Sequence, residues 1–180
     1  MVRRCLDGDR QFGIALIKEG EEVGGYAEAC GTGTLAEVSG CEMMPDGQIM
    51  LVCVGVRRFN IQRRVTGEPY GQAEIELLDE GDPDDPVDEE LVDRAATTLQ
   101  SYLKALASLT NLSVSMPAEK LSPIALSYLC SARLQVDNQK QQELLEAPDT
   151  AARLQRGLAL LEQENGEIQA FLEKRRTKGD

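Results

Sequence analysis

Apolar and polar positions change their spacing once along this chain, between residues 79 and 86. From Gln11 to Leu78 the sequence is a series of short apolar or alternating runs broken by glycine. These are FGIALI at 12–17, the EGEEVGG turn region, TLAEV at 34–38, PDG at 45–47, then IMLVCVGVRRFNIQRRV and AEIELL. Short runs bounded by Gly, Pro and Asp predict strands and turns, here at the spacing of a small barrel or sandwich. In the longest run Phe59, Ile61 and Val65 fall on one face, and Arg58, Asn60, Gln62 and Arg64 on the other. That period of two predicts a half-buried strand. Arg63 breaks the alternation and predicts that the strand ends or turns there. Gly55 interrupts the apolar stretch 49–56 and predicts a bulge or bend.

Residues 79–86 read DEGDPDDP. Proline withholds donors from a sheet and the carboxylates resist burial, so this is a solvated linker. Its spacing is not that of a calcium loop, and no metal is expected on it. Beyond it the period becomes 3.6. Leu91, Ala95, Leu99, Tyr102, Leu103, Leu106 and Leu109 recur at helical spacing behind Asp85 as a cap and Pro86 in the first turn. A second helix opens at Ser122-Pro123 and carries Ile124, Leu126, Tyr128, Leu129 and Leu134. A short one covers roughly 138–146 and stops at Ala147-Pro148. The last, capped by Asp149 or Thr150, runs to about Arg176, with Lys174, Arg175 and Arg176 at its negative end. The predicted organisation is a β-rich part at 1–78, a linker at 79–86 and an antiparallel helical bundle at 87–180. Leu154, Leu158, Leu161, Asn165, Ile168 and Leu172 form a seam along the last helix. Its far end, Ile168, Phe171 and Leu172, is expected to be an exposed apolar patch for a protein partner or a second copy.

Charge narrows the partners. The 180 residues carry -12, and residues 1–90 hold 8 basic against 20 acidic side chains, while 91–180 hold 11 of each. A field of that sign repels phosphate backbones and anionic lipid, which favours protein partners over nucleic acid or membrane. The longest near-continuous apolar run, 49–56, is too short to span a bilayer, and MVRRCLDGDRQ lacks the apolar segment of a secretory signal. A cytoplasmic location follows. The cysteines, Cys5, Cys30, Cys41, Cys53 and Cys130, are odd in number and form no C-x-x-C pair, so reduced thiols are expected.

Candidate chemistry is sparse. The chain has no histidine, which removes Ser-His-Asp, Cys-His and H-E-x-x-H sites together. It has no phosphate-binding G-x-x-x-x-G-K-[ST], and Gly31-x-Gly33 with Ala36 is flanked by the wrong elements for a dinucleotide site. Ser122 or Ser131 with Lys120 or Lys140 is a formal serine-lysine pairing with nothing beside it to build an oxyanion site. The reading is a non-catalytic protein without catalytic residues, cofactor or metal. The alternative is RNA binding through Arg57, Arg58, Arg63 and Arg64, whose guanidiniums suit phosphate contacts. Against it, Phe59 is committed to the core and only Tyr70 is left nearby for base stacking.

Five segments in order, MVRRCLDGDRQFGIALI, GTGTLAEV, CVGVRRFNI, EPYGQAEIELL and QQELLEAPDTAARLQRGLALLEQE, give the chain a resemblance to the Lon N-terminal, or LON substrate-binding, family. The resemblance implies an α+β fold, a PUA-like β-barrel followed by a helical bundle, and contact with protein clients. In full-length Lon proteases an ATPase and a serine-lysine protease follow; neither activity is expected within these 180 residues. Family members open with an apolar, proline-rich strand ahead of the helix that contains MVRRCL. The barrel is therefore expected to lack its first strand, to be completed from upstream codons or by a partner adding to the open edge. A second copy, through that edge or the C-terminal helix, is one such partner.

Overall fold

The structure is a computed structural model that describes residues 1–21, 27–67, 70–81, 86–110 and 120–178. It divides into two compact units, Met1–Glu80 and Gly81–Asp180. The mixed α+β class expected from the sequence is the class observed: antiparallel sheets in the first unit, helices in the second.

The first unit opens with a short helix α1 (Val2–Leu6), followed by β1 (Gln11–Ile14), β2 (Ile17–Gly20), β3 (Ala27–Ala29), β4 (Thr32–Met43), β5 (Ile49–Val65) and β6 (Gln72–Leu77). Four strands form one antiparallel sheet in the order β1-β4-β5-β6, and β2 pairs with β3 separately. The β4–β5 hairpin dominates. Gly47, at φ 85°, makes its turn where a side chain would be strained, and Asp46 Oδ1 accepts from the Gln48 amide at 3.0 Å.

Two register steps interrupt this hairpin and a third lies in the β5–β6 pair. Leu35 pairs with Arg57 and Ala36 with Gly55, so Val56 is the extra residue, directly beside the glycine that predicted a bulge. Ser39 is extra on β4 between Val38 and Gly40, and its hydroxyl donates to the Val52 carbonyl at 3.0 Å. The third step corrects an expectation. The strand does not end at Arg63: Gln62 is extra between Ile61 and Arg63, and β5 continues paired to β6 as far as Val65. One inserted residue absorbs the break in alternation that the sequence displayed.

The core of this unit forms where Gly33 and Phe59 lie directly opposite each other. Phe59 is buried, and its ring fills the space a side chain at Gly33 would take, so the two positions together seat the aromatic over the sheet. Ala36 and Val38 complete it.

The second unit holds α2 (Glu89–Thr110), α3 (Pro123–Arg133), α4 (Asn138–Leu145) and α5 (Thr150–Lys178). Ala95, Leu99, Tyr102, Leu103, Leu126, Cys130, Leu134, Leu144, Leu154 and Leu161 form one continuous core. Caps fix the helix starts: Ser122, Asp137 and Asp149 accept from the amides of Ala125, Lys140 and Ala152. Asp149, rather than Thr150, is the cap of α5. Asp85 lies outside the described residues; Asp88 accepts from the Glu90 amide at the start of α2. The paired contacts Arg94–Glu162 and Ser101–Asn165 ascend along both helices, so α2 and α5 run in the same sense instead of antiparallel. α3 runs in that sense too, since Ser127 bonds Arg153 and Cys130 lies against Gly157.

Candidate protein-binding surface

Among the described residues, two apolar features of the first unit are open to solvent. The first is a cavity of about 950 Å³ on the sheet. Phe12, Leu35, Phe59, Ile61 and Ile75 line it from β1, β4, β5 and β6, and Ala27 and Ala29 of β3 line it as well. Arg4 and Arg64 stand among its lining residues, Arg4 donating to the Tyr70 hydroxyl at 3.2 Å and Arg64 to the Ala27 carbonyl at 2.8 Å. Apolar walls with a few fixed polar groups describe a place for apolar side chains.

The second feature is a stripe on β5. Met50, Val52 and Val54 share a face by strand alternation, Val56 follows at the bulge, and all four are more than half exposed. Their neighbours Ile49, Leu51 and Cys53, on the opposite face, are half-buried. Sequence alone misses this stripe, because 49–56 is apolar at nearly every position and reads as a strand buried on both faces. Only the burial pattern separates the two sides.

The arginines expected to form an RNA-binding face are not gathered as one. Arg58, which the alternation places outward, is only 3% exposed and pairs with Glu80 at 2.7 Å. Arg63 pairs with Glu74 across β5–β6, and Arg64 holds the Ala27 carbonyl. Arg57 is exposed. Glu80 lies 22 residues beyond Arg58, so no local sequence signal reveals that pairing. A cationic strip for a phosphate backbone is not what this geometry presents.

The C-terminal patch is also only partly as expected. Ile168 packs against the helical core, Leu172 is half-buried, and Phe171 is 52% exposed.

Both serines of the formal serine-lysine pairing are engaged within their own helix. The Ser122 hydroxyl caps α3, and the Ser131 hydroxyl donates to the Ser127 carbonyl within the helix. Burial, the Asp9 carboxylate and neighbouring Cys53 raise the Cys5 thiol, and burial pushes Cys130 up to about 12, so both are poor nucleophiles at neutral pH. Among the described residues no group of three or more Cys, Asp or Glu is placed to hold a metal ion, and no described helix is long and apolar enough to cross a membrane.

Comparison with known proteins yields a consistent set of relatives. The family model for the ATP-dependent protease La (LON) substrate-binding domain matches residues 1–163. The Lon protease of Cytophaga hutchinsonii is 25% identical over 161 residues, covering 85% of this chain and 19% of that protein. The Lon protease of Phenylobacterium zucineum is 33% identical over 138 residues, covering 73% and 17%. The chain thus spans less than a fifth of the length of these relatives. Among solved structures, a Lon N-terminal domain protein from Xanthomonas campestris superposes with a TM-score of 0.63 at 23% identity, covering 88% of this chain and 80% of that one. The N-terminal domain of Mycobacterium avium complex Lon protease gives 0.58 at 17%, covering 84% and 89%. These two likenesses concern the fold.

Proposed function

We propose, since this chain belongs to the family of ATP-dependent protease La (LON) substrate-binding domains, that it is a non-catalytic module which holds unfolded or partly unfolded protein clients on the first unit. The observation that carries this reading is the pairing of an uncovered apolar cavity with an uncovered apolar stripe on the same sheet. Each uncovered Å² returns roughly 25 cal/mol on burial, and a folded client has few apolar side chains free to supply that burial. The absence of histidine from the sequence supports a role without chemistry. Unpaired thiols support a cytoplasmic setting.

The test is a binding isotherm between the 180-residue chain and reduced, carboxymethylated lactalbumin, a permanently unfolded probe, beside native lactalbumin. The expected result is saturable binding of the unfolded form tighter than about 100 μM and none of the native form. No binding of the unfolded form, or equal binding of both, overturns the reading.

A further inference from the structure

Between Ile49 and Arg57, β5 pairs with β4 on one side only; β6 joins its other side from Phe59 onward. Among the described residues, no other strand pairs with the β5 backbone over 49–57. Alternate residues there turn N–H and C=O groups away from β4, about four residues' worth over this length. Natural sheets guard such an edge with charge, proline or a covering segment. Over 49–56 this one carries neither of the first two: IMLVCVGV has no charged residue and no proline, and Arg57 stands only at its end. The exposed stripe Met50, Val52, Val54 and Val56 runs along the same nine residues.

The surroundings of the edge are acidic. From Ser39 to Val56 the hairpin contains two carboxylates, Glu42 and Asp46, and no lysine or arginine. Glu42 lies opposite Met50 and shares its face, and Asp46 sits in the turn just beyond. The far end of the edge carries the exposed Arg57. A second copy of this chain would bring another -12 to the contact, which opposes self-pairing.

We propose that the free edge of β5 at 49–57 binds extended peptide segments by strand addition, selecting those with apolar residues at alternate positions and basic residues at the end that meets the Glu42–Asp46 turn. This deepens the client-binding reading and rests on it: the edge supplies main-chain bonds, the stripe supplies side-chain burial, and the carboxylates set polarity. The incoming strand lies one strand spacing, roughly 4.8 Å, from β5, and an extended lysine on the stripe face reaches toward Glu42 on β4.

The test uses the full chain and fluorescein-labelled synthetic peptides of alternating valine and threonine, ending in two lysines or in two glutamates, read by fluorescence anisotropy. The lysine peptide is expected to bind at least about tenfold more tightly than the glutamate peptide at low salt, with the gap closing at high salt. Amide exchange in 49–57 is expected to slow when the lysine peptide is bound. Val52→Lys is expected to weaken this peptide about tenfold. If that variant does not fold, the peptide comparison and the exchange on the native chain still decide. Equal affinities for both peptides, or unchanged exchange at 49–57, overturn the proposal. If unfolded lactalbumin still binds in that event, the client-binding reading survives without the edge; if it does not, both fall. Slowed exchange at 49–57 that depends on chain concentration without peptide assigns the edge to a second copy and likewise overturns the proposal.

Discussion

Replacing Gly33 with alanine tests the account of the first unit's core. Gly33 is not among the glycines at positive φ, so the exchange carries no backbone penalty and its whole cost is steric. A Cβ there would stand 2.5 Å from Phe59 Cζ and 2.6 Å from the Ile14 carbonyl oxygen. The ring has one escape, away from the sheet and out of its packed position. The carbonyl has none, because Ile14 is held in the β1–β4 ladder opposite Thr34. Overpacking of this kind costs about 2 kcal/mol. For a unit near 80 residues each kcal/mol moves the melting temperature by about 4 to 8 °C, which gives roughly 8 to 16 °C. A thermal melt by circular dichroism measures it, and amide exchange in β4 and β5 assigns the loss to the sheet. Phe59→Leu removes the Cζ atom, so in that background Gly33→Ala is expected to cost about 1 kcal/mol less, the remainder being the carbonyl clash. A Gly33→Ala chain that melts within about 2 °C of the native one refutes the reasoning.

Ser127 accepts from Arg153 Nε at 2.9 Å in the buried interior of the helical unit, and Ser127→Ala is expected to cost about 1 to 3 kcal/mol in urea denaturation. Cys130 has a folded-state value of about 12 against an ordinary 9.0, raised by burial. The unfolded thiol therefore ionises first, the folded state binds more protons above pH 9, and stability falls as pH rises from about 9 towards 12. At pH 10 the loss from this group is about 1.4 kcal/mol; Cys130→Ala is expected to flatten that part of the slope in denaturation at pH 8 and 10, leaving the part due to Cys5 and Tyr102, which burial also raises. At the end of α5, Ile168→Ala is expected to destabilise the chain by about 1 to 3 kcal/mol because it packs on the core, whereas Phe171→Ala is expected to stay within about 0.5 kcal/mol. Equal effects of the two in a melt would mean that the seam is not divided at this point.

Those features of the fold that depend on near neighbours were legible in the sequence. The switch of period across the linker separated strands from helices, Gly55 marked a bulge one residue from where Val56 makes it, and Asp149 stood where a cap belongs. What depended on distant neighbours was not legible. Alternation sent Arg58 outward, but the bulges around it and the reach of Glu80 made burial with a paired charge available. The direction of α5 relative to α2 was likewise hidden, since periodicity gives the face of a helix but not its sense. The stripe on β5 was invisible for a different reason: an apolar residue on a solvent-facing side looks, in sequence, the same as one in a core.

That last ambiguity bears on function. The buried apolar side chains of the first unit are few, with Phe59, Val38 and Ala36 at their centre, while the second unit has a core running from Ala95 to Leu161. Yet most of the large apolar residues left in water, Ile14, Met43, Met50, Val52, Val54, Val56, Ile75 and Leu77, belong to the first unit. Burying a fully exposed valine or methionine is worth about 1.5 kcal/mol or more, so the four residues of the stripe, each a little over half exposed, forgo on the order of 3 kcal/mol, a large share of the stability of a small domain. Stability alone would favour threonine or lysine at those places, and lysine would guard the edge as well. An unguarded apolar edge on the less well packed unit makes sense when its burial is completed by what it binds. Occupancy and stability are then linked: a client present at a hundred times its Kd stabilises the first unit by about 2.7 kcal/mol and leaves the helical unit unchanged. Amide exchange resolves the two, because protection that rises in β4 and β5 but not in α2 or α5 when client is added at fixed chain concentration comes from a ligand seated on the sheet.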